Sequence, residues 1–307
     1  MRIAIIVPAF NVAPFLRDTL QSVLDQTHAD WSLVVVDDGS TDATAAVAAS
    51  FADDRIRLIQ QDNAGVSATR NRGIRHAGPP APDAFLFLDG DDWLAPNAIA
   101  LLAQTLEAAP WAAAACGRYA RIAANGAARL SATMPEGCLL EQLLIQNLFA
   151  NGGHLLIRRE AIEAVGDFRD DLSYGEDWEY WTRLASHGEF AAVRCRAPLL
   201  FVRERLGSAT QSNATDPSAY RPAMEAIHRN PAIADRLGRS RLADLRRRAE
   251  AEMAWTVGRE LVRHGQQKDG LRWLGRSLRD APSLRRLLLI GLSWPRFGPF
   301  RPYRTVT

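Results

Sequence analysis

The sequence predicts an α/β protein: a Rossmann-like, mixed but mostly parallel sheet, followed by a C-terminal helical extension. Three observations carry this. The first hundred residues alternate short apolar runs with segments of helical periodicity. The apolar runs are near-continuous rather than alternating, as in strands covered on both faces. From about Pro217 onward the pattern turns helical, arginine-rich and amphipathic.

In chain order, Arg2–Pro8 (RIAIIVP) is short and rich in β-branched residues, so it reads as a buried strand. Pro14–Gln26 places Phe15, Leu16, Leu20, Val23 and Leu24 at helical spacing. Trp31–Val36 is a second strand, Thr41–Phe51 a helix, Arg55–Gln60 a weaker strand and Val66–His76 a third helix. Ala84–Leu88 (AFLFL) makes a fourth strand and Asn97–Ala108 a helix. The pattern then becomes mixed. Ala112–Ile122 reads as a strand, Glu136–Asn147 as a helix, His154–Ile157 as a short strand, Glu176–Ser186 as a helix, and Phe190–Val202 as extended chain. Beyond these, Trp255, Leu261, Gly265, Gly270, Trp273, Leu278 and Pro282 loosely resemble one tetratricopeptide-like helix pair.

The chain has 307 residues, 47% apolar and 23% charged, which suits one large α/β domain with an appendage. Its net charge of +2 hides an asymmetry. From Asp235 on there are 17 basic against 7 acidic residues, leaving 20 basic against 28 acidic in the rest. Cys116, Cys138 and Cys195 are odd in number, widely spaced and without a CxxC. They fit a reducing compartment better than a disulfide framework or zinc site. No secretory leader is expected at the N-terminus. The longest apolar stretch near the C-terminus, Leu287 to Trp294, is far below the roughly 20 residues of a spanning helix. A cytoplasmic protein is expected, soluble or peripheral at the inner face of the cell membrane.

In a parallel sheet, ligands sit beyond the carboxyl ends of the strands. Three polar clusters fall there: Pro8-Ala9-Phe10-Asn11, Asp37-Asp38-Gly39-Ser40-Thr41-Asp42, and Asp89-Gly90-Asp91-Asp92. Carboxylates bunched at a strand end repel one another, and a hard cation such as Mg²⁺ or Mn²⁺ relieves that while bridging to phosphate oxygens. A solvated acidic turn leading into the next helix is the plainer alternative. A carboxylate after the second strand can accept hydrogen bonds from a base or ribose, and Gly39 permits the tight turn. Ser40 or Thr41 can cap the following helix.

Ile6-Val7-Pro8-Ala9-Phe10-Asn11, the Asp-Asp-Gly-Ser-Thr-Asp run, Asn63-Ala64-Gly65-Val66-Ser67-Ala68-Thr69-Arg70-Asn71 and Phe87-Leu88-Asp89-Gly90-Asp91-Asp92-Trp93 occur in that order. Together they resemble the family-2 glycosyltransferases of GT-A fold, over about residues 3 to 205. The resemblance implies a GT-A domain over 1–215, with a nucleotide-binding half (about 1–108) and an acceptor-binding half (about 109–215). A basic helical region fills 216–307.

It further implies that Pro8, Phe10 and Asn11 border the base and ribose, and that Asp38 binds the nucleobase, usually uracil. Asn63 and Arg70 would line the nucleotide site, with a structural pairing of Arg70 to a neighbouring carboxylate as the alternative. Asp91 would bind Mn²⁺ or Mg²⁺, with Asp89 close to both metal and ribose. Asp177, opening a helix in Gly175-Glu176-Asp177-Trp178, matches the family's general base, with Glu176 and Trp178 as neighbours towards the acceptor. Arg203, Arg205 and Ser208 match a segment that folds over the diphosphate. No Gln-x-x-Arg-Trp follows Asp177, so single-residue transfer is expected rather than processive synthesis. His154 reads as a structural histidine.

The expected partners are a nucleotide-sugar donor and a glycan or lipid-linked acceptor, with an anionic membrane surface as one reading of the basic tail. Nucleic acid is not expected, since no binding motif accompanies the charge. Among rival functions, a nucleotidyltransferase-like enzyme would carry a Gly-rich basic loop where Pro-Ala-Phe-Asn stands. A dehydrogenase would show Gly-x-Gly-x-x-Gly, and a receiver domain needs a lysine, yet the chain's one lysine is Lys268. A non-catalytic nucleotide-sugar-binding module is opposed by the joint presence of Asp89, Asp91 and Asp177.

Overall fold

The computed structural model describes residues 1–205 and 213–292. Contacts divide the chain into two compact units: Met1–Leu140 with Leu148–Arg205, and Glu141–Asn147 with the chain from Leu206 on.

The first unit opens with β1 (Ile3–Ala9), whose Ile3, Ile5, Ile6 and Val7 are fully buried. Burying each such side chain contributes about 1.5–3 kcal/mol, which fixes this run as the centre of a sheet covered on both faces. Next come α1 (Ala13–Leu24), β2 (Trp31–Asp37), α2 (Thr44–Ala49), β3 (Ile56–Gln60), α3 (Val66–Arg75) and β4 (Ala84–Phe87). They are followed by β5 (Trp93–Leu94), α4 (Ala98–Ala108), β6 (Ala112–Cys116), β7 (Tyr119–Ile122) and β8 (Ala128–Leu130); α5 (Leu140–Leu143), next in the chain, belongs to the second unit from Glu141 on. The first unit closes with β9 (Leu155–Arg158), α6 (Arg159–Val165), α7 (Glu176–His187), β10 (Glu189–Ala192) and β11 (Leu200–Arg203).

The main sheet runs β10-β6-β9-β4-β1-β2-β3, and a small sheet runs β5-β11-β7-β8. All pairs in the main sheet are parallel except those of β9, which lies antiparallel to β4 and β6. The register sets Ala9 beside Asp37 and Ile6 beside Phe87. The loops leaving β1, β2 and β4 therefore share one edge. Because β9 runs the other way, the loop entering it, Asn151–His154, reaches the same edge.

Four segments differ from the sequence reading. Ala112–Ile122 is two strands in different sheets, broken after Gly117, whose N–H makes a last bond in the β6–β9 register to the carbonyl of His154. The expected helix over Glu136–Asn147 shrinks to Leu140–Leu143; its start is lost because Gly137 is drawn into an extended bridge with Phe190. Phe190–Val202 is likewise two strands, with Pro198 in the gap between them. The expected Thr41–Phe51 helix begins only at Thr44, its first residues being used in loop contacts.

The second unit is helical among the described residues: α8 (Pro217–His228), α9 (Pro231–Leu237), α10 (Arg239–Arg263), α11 (Gln267–Asp280) and α12 (Leu284–Leu292). Helices α10 and α11 form the pair glimpsed in the sequence, packed on Trp255 and Leu274. Among the described residues no helix is long and apolar enough to cross a membrane.

Candidate active site

The loops after β1 and β2 are zipped together. The Asn11 N–H donates to Ser40 Oγ at 3.0 Å, and Asn11 Oδ1 accepts from the Thr41 N–H at 2.9 Å. Asn11 takes a positive φ of 51° to do so, a conformation asparagine tolerates. Neither Ser40 nor Thr41 caps α2, since both are bonded to Asn11; Asp42 instead ties the start of α2 to α1. Its carboxylate accepts from the Thr44 N–H and hydroxyl and from the Ala13 N–H of α1, which together hold its carboxyl below the usual range despite the cost of desolvation.

Asp38 is buried, and its carboxylate is consumed locally. Oδ1 accepts from the Ala64 N–H (2.8 Å) and Gln61 Nε2 (2.6 Å), and Oδ2 from the Gly65 N–H (2.9 Å). Asn63 closes the loop by donating to the Asp38 carbonyl at 3.1 Å. Gly39 makes this possible: its φ is +74°, and a Cβ there would stand 2.8 Å from the Asn63 nitrogen. Pro8 is half-buried, and Phe10 is 47% exposed beside this loop pair.

Arg70 lies on α3, 4% exposed. Its guanidinium donates to Glu176 Oε1 at 3.0 Å and to Asp89 Oδ1 at 3.1 Å, and sits over the Phe168 ring. Burial opposes its charge, but the carboxylates of Asp89, Glu176 and Asp177 more than offset that and hold it protonated. Asn71, next in the helix, clamps the backbone of Phe168 in both directions at 2.8 Å. The strand-end acidic loop and the start of α7 are thus tied to one helix.

The acidic loop itself is a network. Asn151 Nδ2 donates to Asp89 Oδ2 (3.1 Å) and Asp92 Oδ2 (2.6 Å). Gly152, the next residue, lets this loop approach β4: a Cβ there would sit 2.7 Å from Phe87 Cβ and 2.9 Å from its carbonyl oxygen. Arg205 Nε donates to Asp91 Oδ2 at 2.5 Å, and Arg203 donates from its backbone N–H to Asp92 and from Nε to the Asp91 carbonyl. Burial first, then the charge of Asp89, raises the Asp91 carboxyl above its ordinary value, with Arg205 pulling the other way. Burial and its two acidic neighbours raise Asp92 still further.

Asp177 stands in the first turn of α7, its Oδ1 accepting from the Trp178 N–H at 2.6 Å. The Trp178 side chain is buried, and Glu176 is half-buried against Arg70. Ser208 lies outside the described residues. His154 is buried between the Gly117 carbonyl, 2.7 Å from Nδ1, and the Ala150 N–H, 3.2 Å from Nε2. Desolvation depresses its pKa to about 4, so it is a neutral structural side chain.

Among the described residues no group of three or more His, Cys, Asp or Glu side chains forms a self-contained cation cage. The donor set nevertheless fits a hard cation. Asp91 and Asp89 offer oxygen, and the burial and Asp89 charge that disfavour the Asp91 carboxylate are only partly opposed by Arg205, so a cation there would be favoured. One or two carboxylates completed by substrate phosphates is how Mg²⁺-type ions are commonly held.

Sequence reasoning missed Asp92, Asn151 and Phe168. Asp92 stood in the acidic run but was not singled out. The Asn151-Gly152-Gly153 turn ahead of a strand was the one local sign of Asn151. Phe168 carried no sign, since its role depends on α3 and α7 meeting around it.

The Glycosyl transferase family 2 model matches residues 4–166, more than half of the chain. The uncharacterized glycosyltransferase EpsJ of Bacillus subtilis is 30% identical over 238 residues, 73% of this chain and 65% of that protein. The Escherichia coli UDP-Glc:alpha-D-GlcNAc-diphosphoundecaprenol beta-1,3-glucosyltransferase WfgD is 37% identical over 95 residues, 30% of this chain and 36% of that protein. The matched region spans from 13% to 65% of the length of the first curated relatives. Among solved structures, S. aureus TarS 1-349 in complex with UDP-GlcNAc superposes with a TM-score of 0.69 at 17% identity, covering 92% of this chain and 82% of that one. The mannosyltransferase PcManGT from Pyrobaculum calidifontis, in complex with GDP-Man and Mn²⁺, gives 0.57 at 20% identity, covering 95% and 79%. These likenesses give the fold as GT-A, and by its motifs and its family match the chain belongs to glycosyl transferase family 2.

Proposed function

We propose that this chain is an inverting, metal-assisted glycosyltransferase that moves one sugar from a uridine nucleotide-sugar to a glycan or lipid-linked acceptor in cell-surface polysaccharide assembly. The observation that carries the reading is the double hydrogen bond of Arg70. It ties Asp89, on the donor side, to Glu176, beside the candidate base Asp177. Donor and acceptor chemistry need such a fixed relation, since small misplacements cost large factors in rate.

In this reading Asp177 removes the proton from the acceptor hydroxyl as its oxygen attacks the anomeric carbon. The bond from that carbon to the diphosphate breaks on the opposite face, and the nucleoside diphosphate leaves. Asp91, with Asp89, would hold a divalent ion, which would supply charge neutralisation for the leaving group. Arg205 and Arg203 serve the same charge from the protein side, and the loop organised by Asp38, with Asn11, Pro8 and Phe10 nearby, borders the nucleoside. Uridine is favoured by the UDP-bound neighbour TarS and the UDP-glucose relative WfgD; the GDP-mannose complex of PcManGT marks the main alternative.

The test is nucleoside diphosphate release from a panel of UDP-, GDP- and dTDP-sugars with Mn²⁺ and a crude lipid-linked acceptor fraction. One donor class should be consumed, with an Asp177→Asn protein slower by at least about 10²-fold. Equal turnover by that variant would remove Asp177 from the role, and turnover of no donor would remove the function.

A further inference from the structure

Helix α12 is apolar on its outer face as well as its inner one. Leu284, Leu287 and Leu288 are 82%, 58% and 63% exposed. Arg286, on the opposite face, is turned inward. It pairs with Glu252, donates to Ser277 Oγ at 2.9 Å and lies over the Trp255 ring. Leu289 and Ile290 complete that inner face by packing on the Trp255–Leu274 cluster. A surface helix ordinarily buries its leucines and exposes its arginine. Here Arg286 shares the inner face with Leu289 and Ile290, and its ion pair and aromatic contact fix the rotation of the helix that leaves Leu284, Leu287 and Leu288 outward.

The charge around this face has one sign. Residues 281–307 contain five arginines and no Asp, Glu or Lys. Helical spacing puts Arg285 at the edge of the leucine face. Arg285 is exposed, as is Arg279 at the end of α11, and neither makes an ion pair among the described residues. The sequence beyond the helix repeats the combination, with Trp294, Phe297, Phe300 and Tyr303 among Arg296, Arg301 and Arg304. Leucines flanked by arginines and interfacial aromatics are the composition of a segment that lies in the headgroup region of an anionic bilayer. A second copy of this chain fits less well, because a two-fold contact would bring these unbalanced arginines against their own kind.

We propose that the Leu284, Leu287 and Leu288 face of α12, with Arg285, docks the protein on an anionic lipid surface. The inference stands apart from the donor chemistry, and its failure would leave the transferase reading untouched.

The full chain is sedimented with vesicles of phosphatidylcholine alone and of phosphatidylcholine mixed with phosphatidylglycerol, without any nucleotide. Wild type should pellet with the phosphatidylglycerol vesicles and lose binding as salt rises. Replacing all three leucines (Leu284→Ser, Leu287→Ser, Leu288→Ser) should weaken binding by about ten-fold or more. Arg285→Glu should weaken it by about five-fold or more. Both variants should keep the wild-type melting temperature, since the replaced side chains are exposed. Binding by the serine variant equal to wild type, or wild-type binding indifferent to lipid charge, would overturn the proposal. So would a leucine-dependent dimer in light scattering without vesicle binding, which would assign the face to a second copy.

Discussion

Arg205 and Asp91 form a short ion pair, Nε to Oδ2 at 2.5 Å, within the acidic loop at the carboxyl edge of the main sheet. The carboxylate proposed to meet a metal is therefore already engaged by a cation of the chain's own. On meeting a metal, Asp91 would give up that partner, leaving Arg205 for the phosphate oxygens of the diphosphate. Arg205→Ala should tighten Mn²⁺ binding to the nucleotide-free protein, read by the loss of the free Mn²⁺ paramagnetic resonance signal. The same change should weaken UDP binding in the presence of Mn²⁺ by about 1.5–3 kcal/mol, read by calorimetry.

Arg70 is a buried cation whose removal would strand two carboxylates. Taking one member from a buried, hydrogen-bonded ion pair typically costs about 3–5 kcal/mol. Arg70→Met should fall in that range by urea denaturation. Adding Glu176→Gln should recover part of the loss, because it removes one stranded charge. A strictly additive double mutant would show that the two side chains do not act together.

Asp38→Asn tests whether that carboxylate organises the 61–65 loop. An amide has one acceptor oxygen where the carboxylate offers two, so the Ala64 and Gly65 amides cannot both be kept along with Gln61. The expected cost is about 1.5–3 kcal/mol in stability without ligand. If stability were unchanged while nucleotide affinity fell, Asp38 would act on the base directly and not through the loop.

His154 makes stability pH-dependent. Its folded pKa of about 4 lies below the ordinary 6.5, so the unfolded chain takes up the proton first as pH falls. This contribution is complete above pH 6.5 and is lost towards pH 4, with about 2 kcal/mol lost between pH 7 and 5. His154→Gln should be less stable at neutral pH but should show a shallower fall over that window.

The strand–helix alternation of the first hundred residues was legible because each element carries its own period. β1 and β2 are apolar throughout, and α1 shows its face through Leu16, Leu20 and Val23. The second half was less legible, since its elements are defined by distant partners. Gly137 is taken by Phe190, and β7 leaves the main sheet to pair with β11. In the site, the acidic loop and the start of α7 were visible as local carboxylate clusters. What holds them was not: Asn151 meets Asp89 across 62 positions, and Arg70 meets Glu176 across 106. No short-range pattern encodes such a pairing.

The most direct test of the account is calorimetric binding of UDP to wild type and Asp91→Asn, each with and without Mn²⁺. Mn²⁺ should strengthen UDP binding to wild type by about ten-fold or more, and Asp91→Asn should remove this gain while leaving the metal-free affinity nearly intact. An equal gain from Mn²⁺ in both proteins, or no UDP binding under any condition, would contradict it.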